Sequence, residues 1–122
     1  VNIFMHKFKE LGIWKKSRLF CSKIYNETAS FPQEEKFGLT NQLRRASVSI
    51  QSNIAEGSSR SSNKDFARFL EIAIGSAYEV ETQLLISADL GFLNQEKVIE
   101  LTDLLEEIIK MTSRFRSTLK IE

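Results

Sequence analysis

A chain of 122 residues with 42% hydrophobic and 27% charged residues holds one domain's worth of sequence, enough to bury a core unaided by metal or disulfide. That composition excludes a disordered chain, and five Gly and one Pro exclude a turn-rich fold. Cys21 is the only cysteine, so no internal disulfide forms and a reducing compartment such as the cytoplasm is expected.

Apolar residues recur at helical spacing in four segments. The first, over about residues 9–29, places Trp14, Ser17, Cys21, Ile24 and Thr28 on one face. Phe31 follows just past its end, because Pro32 forces residue 31 out of helical geometry. Pro32 opens a brief turn through Glu35. Gly38 marks the start of a second helix over 39–58, whose stripe is Leu39, Leu43, Ala46, Ile50, Ile54 and Gly57. The third, over 63–90, starts at a capping box formed by Ser62 and Asp65. Phe66, Leu70, Ala73, Ala77, Val80, Leu84 and Ala88 make its seam, and Gly91 is its left-handed C-cap, with Phe92 as the apolar contact beyond. The fourth, over 95–119, is capped by Asn94 and carries Val98, Leu101, Leu105, Ile108, Thr112, Phe115 and Leu119 inward. Its acidic start and basic end, with Lys110, Arg114, Arg116 and Lys120, suit the helix dipole. Long helices joined by short connections predict one all-α domain, an antiparallel up-down-up-down four-helix bundle. No run of about 18 apolar residues is present, so no membrane span is expected. The stretch VNIFMHKFKE is too short and too charged for a signal peptide.

The third helix is too apolar for one interface. Ala67, Phe69, Ile72, Ile74, Tyr78, Leu85 and Ile86 lie outside its seam, and a surface helix ordinarily shows one apolar face. A homo-oligomer in which this helix meets a neighbour is therefore expected. Gly75, beside Ser76 and Ala77, would let another helix approach closely.

Catalysis finds little support. One histidine, His6, sits outside the bundle, so the paired Glu-x-x-His motifs of a di-iron bundle are missing, as is a zinc ligand set. Cys21 falls on an apolar stripe with no base placed to activate it. No phosphate loop, dinucleotide fingerprint or nucleophile elbow occurs. No enzyme activity, metal or cofactor is expected.

Charge is lopsided. Net charge is +1, yet residues 1–70 carry twelve Lys/Arg against six Asp/Glu and residues 71–122 five against ten. Such a split either offers a basic patch to a polyanion or joins the two halves, or two subunits, to each other. Around the junction of helices two and three, Arg44, Arg45, Arg60, Lys64 and Arg68 supply five positive charges among serines and Asn53. That mixture suits phosphate contacts, though a solvated polar face has the same look. Asn53 lies near the apolar seam, and Glu56 can reach Arg60 at i+4. Ser49, Asn53 and Glu56 are expected to form a structural polar network, with Glu79, Glu81 and Gln83 of the third helix as partners.

Specific runs then add a resemblance. Gln42-Leu43-Arg44-Arg45-Ala46, Val48-Ser49-Ile50, Asn53-Ile54-Ala55-Glu56-Gly57 and Phe69-Leu70 through Gly75-Ser76-Ala77 resemble the bacterial four-helix bundle family. That family is also called the intervening-sequence protein family of large-subunit ribosomal RNA. The resemblance spans about residues 8–93, with Gln51 where the family pattern has Pro and Ile74 where many relatives have Arg. It implies a bundle assembled into rings, commonly pentamers, and similarity to retroelement accessory proteins that bind nucleic acid and a reverse transcriptase. The combined expectation is a cytoplasmic oligomer that binds RNA, or DNA, through its basic surface. The alternative is a protein–protein scaffold whose charges join subunits.

Overall fold

A computed structural model describes residues 7–121; His6 lies outside them. The helices are α1, Gly12–Thr28; α2, Leu39–Ser58; α3, Asn63–Asp89; and α4, Gln95–Thr118. Short 3-10 turns cover Phe8–Glu10 and Gln33–Glu35, and the described residues contain no strand. α1 and α3 each pack on α2 and α4 while the diagonal pairs stay apart, so the helices form a square. Rising numbers on one helix meet falling numbers on the next: Lys16 pairs with Glu107 and Lys23 with Glu100, and Gln42 meets Gln83 while Ser49 meets Ser76. Neighbours are therefore antiparallel.

Local chemistry sets the helix ends. The Ser62 hydroxyl accepts from Asp65 N at 3.2 Å and Asn94 Oδ1 from Lys97 N at 2.8 Å, each satisfying an otherwise free amide. Gly91 ends α3 with φ +78°, and Phe92 N donates to Ser87 O while its ring packs on Phe31, 5.5 Å between centroids. α1 begins at Gly12, three residues later than the sequence pattern places it, because Leu11 is extended (φ −74°, ψ 128°). The start of α2 has a cap that the pattern does not reveal: Glu35 Oε1 accepts from Leu39 N at 3.0 Å.

The seams of α2, α3 and α4 are the core. Phe66, Leu43, Ile50, Ile54, Leu70, Leu84, Leu101, Leu105 and Ile108 are fully buried. α1 differs from its expected face. Ile13 and Phe20 enter the core, whereas Trp14 is half-buried. Ser17, Cys21, Ile24, Thr28 and Phe31 of the expected stripe are buried, and the buried face widens toward positions 13 and 20. Trp14 sits at the rim against Phe8, edge-on at 5.1 Å. Cys21 is buried beside Ser47.

Within the chain, the close helix approach is at Gly57, while Gly75 faces open space. A Cβ on Gly57 would lie 2.6 Å from Phe69 Cβ and 2.9 Å from Phe66 Cδ1, whereas one on Gly75 would meet nothing within 4 Å. Of the apolar residues flanking the α3 seam, Ala67 is buried, but Ile72, Tyr78, Leu85 and Ile86 are exposed.

Candidate nucleic-acid interface

The five cations grouped by sequence do not form one cluster. Arg44 and Arg45 precede Arg60 by about 15 residues of α2, which carries them roughly 22 Å along the bundle at 1.5 Å per residue. Arg44 is committed to structure: its Nε donates to Thr28 Oγ1 at 2.9 Å and its guanidinium to Tyr25 O at 3.3 Å. It thereby caps carbonyl and hydroxyl groups at the C-terminus of α1, where positive charge is favoured. Arg45 lines a shallow α2–α3 cleft with Gln42, Ser49, Ser76 and Glu79. Arg60 pairs with Glu56 at 3.0 Å and lies over the Phe69 ring. Lys64 and Arg68, both exposed in the first turns of α3, make no ion pair among the described residues.

The polar network is smaller than its expected version. Asn53 Nδ2 donates to Ser49 O and Oγ at 2.8 and 2.9 Å, and the Ser49 and Ser76 hydroxyls share a hydrogen bond of 2.9 Å. Ser76, not Glu79, is the α3 partner. Glu56 belongs to the Arg60 pair, and Glu79 lines the cleft without an ion pair among the described residues. Gln83 reaches only Gln42, at 3.5 Å. Glu81 points to the opposite seam, toward Glu106 of α4.

What the antiparallel register does bring together is charge. The half of the bundle with the N-termini of α1 and α3 and the C-termini of α2 and α4 comprises residues 7–20, 49–76 and 107–121. It carries twelve Lys/Arg and five Asp/Glu. The other half carries five and ten. The bundle thus has a basic end and an acidic end. Lys64 and Arg68 lie in the basic half with Lys9, Lys15 and Arg18 of the N-terminal region and Lys110, Arg114 and Lys120 near the C-terminus, none with an ion pair among the described residues. The sequence pattern assigns the last three only to the α4 dipole. Their gathering becomes visible once the chain termini are placed at one end.

At the acidic end, Lys97 bridges Glu100 and Glu27, and Lys23 also holds Glu100. Hydrogen bonds from Lys23 and Lys97, then their charges, keep the Glu100 carboxyl below its ordinary range. Glu81 behaves oppositely: partial burial, then the Glu106 charge and a hydrogen bond with it, raise its carboxyl above the ordinary 4.5. A carboxyl raised in the fold favours folding when protonated. Its contribution is complete below that ordinary value and is lost as pH rises through the raised one. Glu81→Gln is therefore expected to raise the melting temperature near neutral pH by about 1–3 °C, the size of a relieved surface like-charge pair. The gain should vanish at about pH 4, where Glu81 is itself protonated; thermal melts at both pH values check this.

Among the described residues no group of three or more His, Cys, Asp or Glu is placed to hold a metal ion, and no helix is long and apolar enough to cross a membrane. No curated protein is significantly similar to the chain. A crystal structure from Bacteroides thetaiotaomicron, described as a protein with unknown function from the S23 ribosomal protein family, is similar to it with a TM-score of 0.78 and 26% identity, over 87% of this chain and 99% of that one. The sequence model of the 23S rRNA-intervening sequence proteins matches residues 9–114, and the chain belongs to that family.

Proposed function

We propose that the chain is a non-catalytic, cytoplasmic binding protein that holds RNA at the basic end of its bundle. The carrying observation is the gathering in one half of the molecule of lysines and arginines from α1, α3 and α4 that make no ion pair among the described residues. A net charge of +1 does not oppose this reading. The 27 residues of α3 span about 40 Å, while charges are screened over about 8 Å at physiological ionic strength. A polyanion at the basic end is insulated from the acidic one.

The test is RNA binding by anisotropy across a salt series, with Lys64→Glu/Arg68→Glu as the variant. Each phosphate contact contributes roughly 0.7–0.9 to the slope of log affinity against log salt. The double variant is expected to flatten that slope by about 1.4–1.8 and to bind at least about tenfold more weakly at moderate salt. An unchanged slope, or no binding by the parent, removes this reading.

A second reading is favoured by Ile72, Tyr78, Leu85 and Ile86, exposed along α3. They suit a protein scaffold, in a ring such as the pentamer that the resemblance implies, with charge joining subunits. Light scattering on the same samples separates the two. A salt-sensitive assembly with no RNA affinity supports the scaffold. Arg44→Glu/Arg45→Glu belongs in the series as well. With Arg44 tied to α1, its main effect is expected on stability and not on the salt slope.

A further inference from the structure

Cations and aromatic rings alternate along the outer side of α1. The Arg18 guanidinium lies over the Trp14 ring at 5.5 Å, and that of Arg44 over Tyr25 at 4.6 Å. Trp14, Arg18 and Tyr25, at i, i+4 and i+11, share one helix face and extend over about 16 Å. Trp14 is half-buried and Tyr25 is 42% exposed. Two clefts adjoin here and share Arg18: one between the Phe8 turn and α1, lined by Lys9, Trp14 and Lys15, the other between α1 and α2, lined by Tyr25, Asn26 and Gln51. Neither is lined by a carboxylate. The α2–α3 cleft contains Glu79, and the α3–α4 cleft contains Glu81 and Glu106. In the α1–α2 cleft, Gln51 Oε1 is buried with no hydrogen-bond partner among the described residues.

We infer that this α1–α2 seam is a stacking track for single-stranded nucleic acid. The inference rests on the RNA-binding reading above and extends it to strand type, along a track that starts at Trp14 and Arg18 in the basic half and reaches Tyr25 and Arg44 just beyond it. Every unpaired base has a π-face that stacks on an aromatic ring or a guanidinium plane, while neighbouring cations hold the backbone phosphates. Arg44, fixed by Thr28 and the Tyr25 carbonyl, presents its plane already ordered. Asn26, exposed beside Tyr25, brings an amide that a base edge can bond. The absence of carboxylates singles out this seam for a polyanion over the other two clefts. A duplex keeps its base faces stacked inward, so it gains only the phosphate contacts.

Trp14 is the only tryptophan, so its fluorescence reports stacking directly. The full chain is titrated with labelled oligouridylate and with an RNA hairpin of equal length closed by a tetraloop whose bases are stacked. Binding is read by anisotropy of the label, and stacking by Trp14 emission. The expected result is quenching by the single strand, with Tyr25→Ala and Arg18→Gln each weakening it by about fivefold or more and leaving hairpin binding nearly unchanged. Single-strand binding with unaltered Trp14 emission overturns the track and leaves the basic-end reading standing. So does equal loss of strand and hairpin in both variants. Binding of neither RNA by the parent overturns both readings. Tyr25 and Arg18 are exposed, so both variants keep the core, and far-UV circular dichroism verifies it.

Discussion

Phe20→Ala is expected to cost about 3–5 kcal/mol of folding free energy, a large part of the roughly 5–15 kcal/mol available to a domain of this kind. Phe20 is fully buried and among the largest such side chains. It sits on α1, at 17 residues the shortest of the four helices, which enters the core through few bulky anchors: Ile13, Phe20 and Ile24, with Phe31 just beyond. Removing the ring leaves a cavity that the surrounding helices cannot collapse into without losing their own packing. Urea unfolding should show a lower midpoint with an unchanged m-value. Trp14→Ala, at the half-buried rim, should cost clearly less. The reverse ranking would mean that α1 is turned by about 100°, one residue on the helical wheel.

Two glycine-to-alanine changes are expected to move stability in opposite directions. At Gly57 the new methyl would meet Phe69 Cβ at 2.6 Å and Phe66 Cδ1 at 2.9 Å. Phe69 is met at its backbone-anchored carbon and Phe66 is fully buried, so neither yields easily. Overpacking of about 1–3 kcal/mol should outweigh the roughly 1 kcal/mol gained from better helix propensity. At Gly75 the space is open, so that propensity gain of about 1 kcal/mol should appear in full. Thermal melts should therefore shift by about 4 °C per kcal/mol, down for the first variant and up for the second. Loss of stability at Gly75, with a change in light scattering, would mean that another copy packs closely against this point of α3.

Features fixed by neighbours in sequence were legible from the sequence. The Ser62 and Asn94 caps, the Gly91 turn and the seams of α2, α3 and α4 all depend on residues within a few positions. The edge of the α1 face was not, because Trp14 fits the three- and four-residue spacing as well as Ile13 and Phe20 do. Only packing against α2 and α4 chooses between them. The Glu35 cap of α2 and the Ser76 partner of Ser49 depend on loop geometry and inter-helix register, which periodicity leaves open. The candidate site suffered from the same gap. Arg44 and Arg60 are close in the chain, yet a 20-residue helix sets them near opposite ends. Lys15 and Arg114, distant in the chain, fall in one half because α1 begins where α4 ends.

The separation of charge also makes the molecule a strong electric dipole whose net charge says little about its behaviour in solution. In an electric field, such as that near a polyanion, it experiences a torque before any contact forms, and it arrives basic end first. Two copies in dilute buffer feel the same torque and attract when aligned head to tail. Added salt screens that attraction, so solubility should rise with moderate salt, and the second virial coefficient should climb from negative toward positive as ions are added.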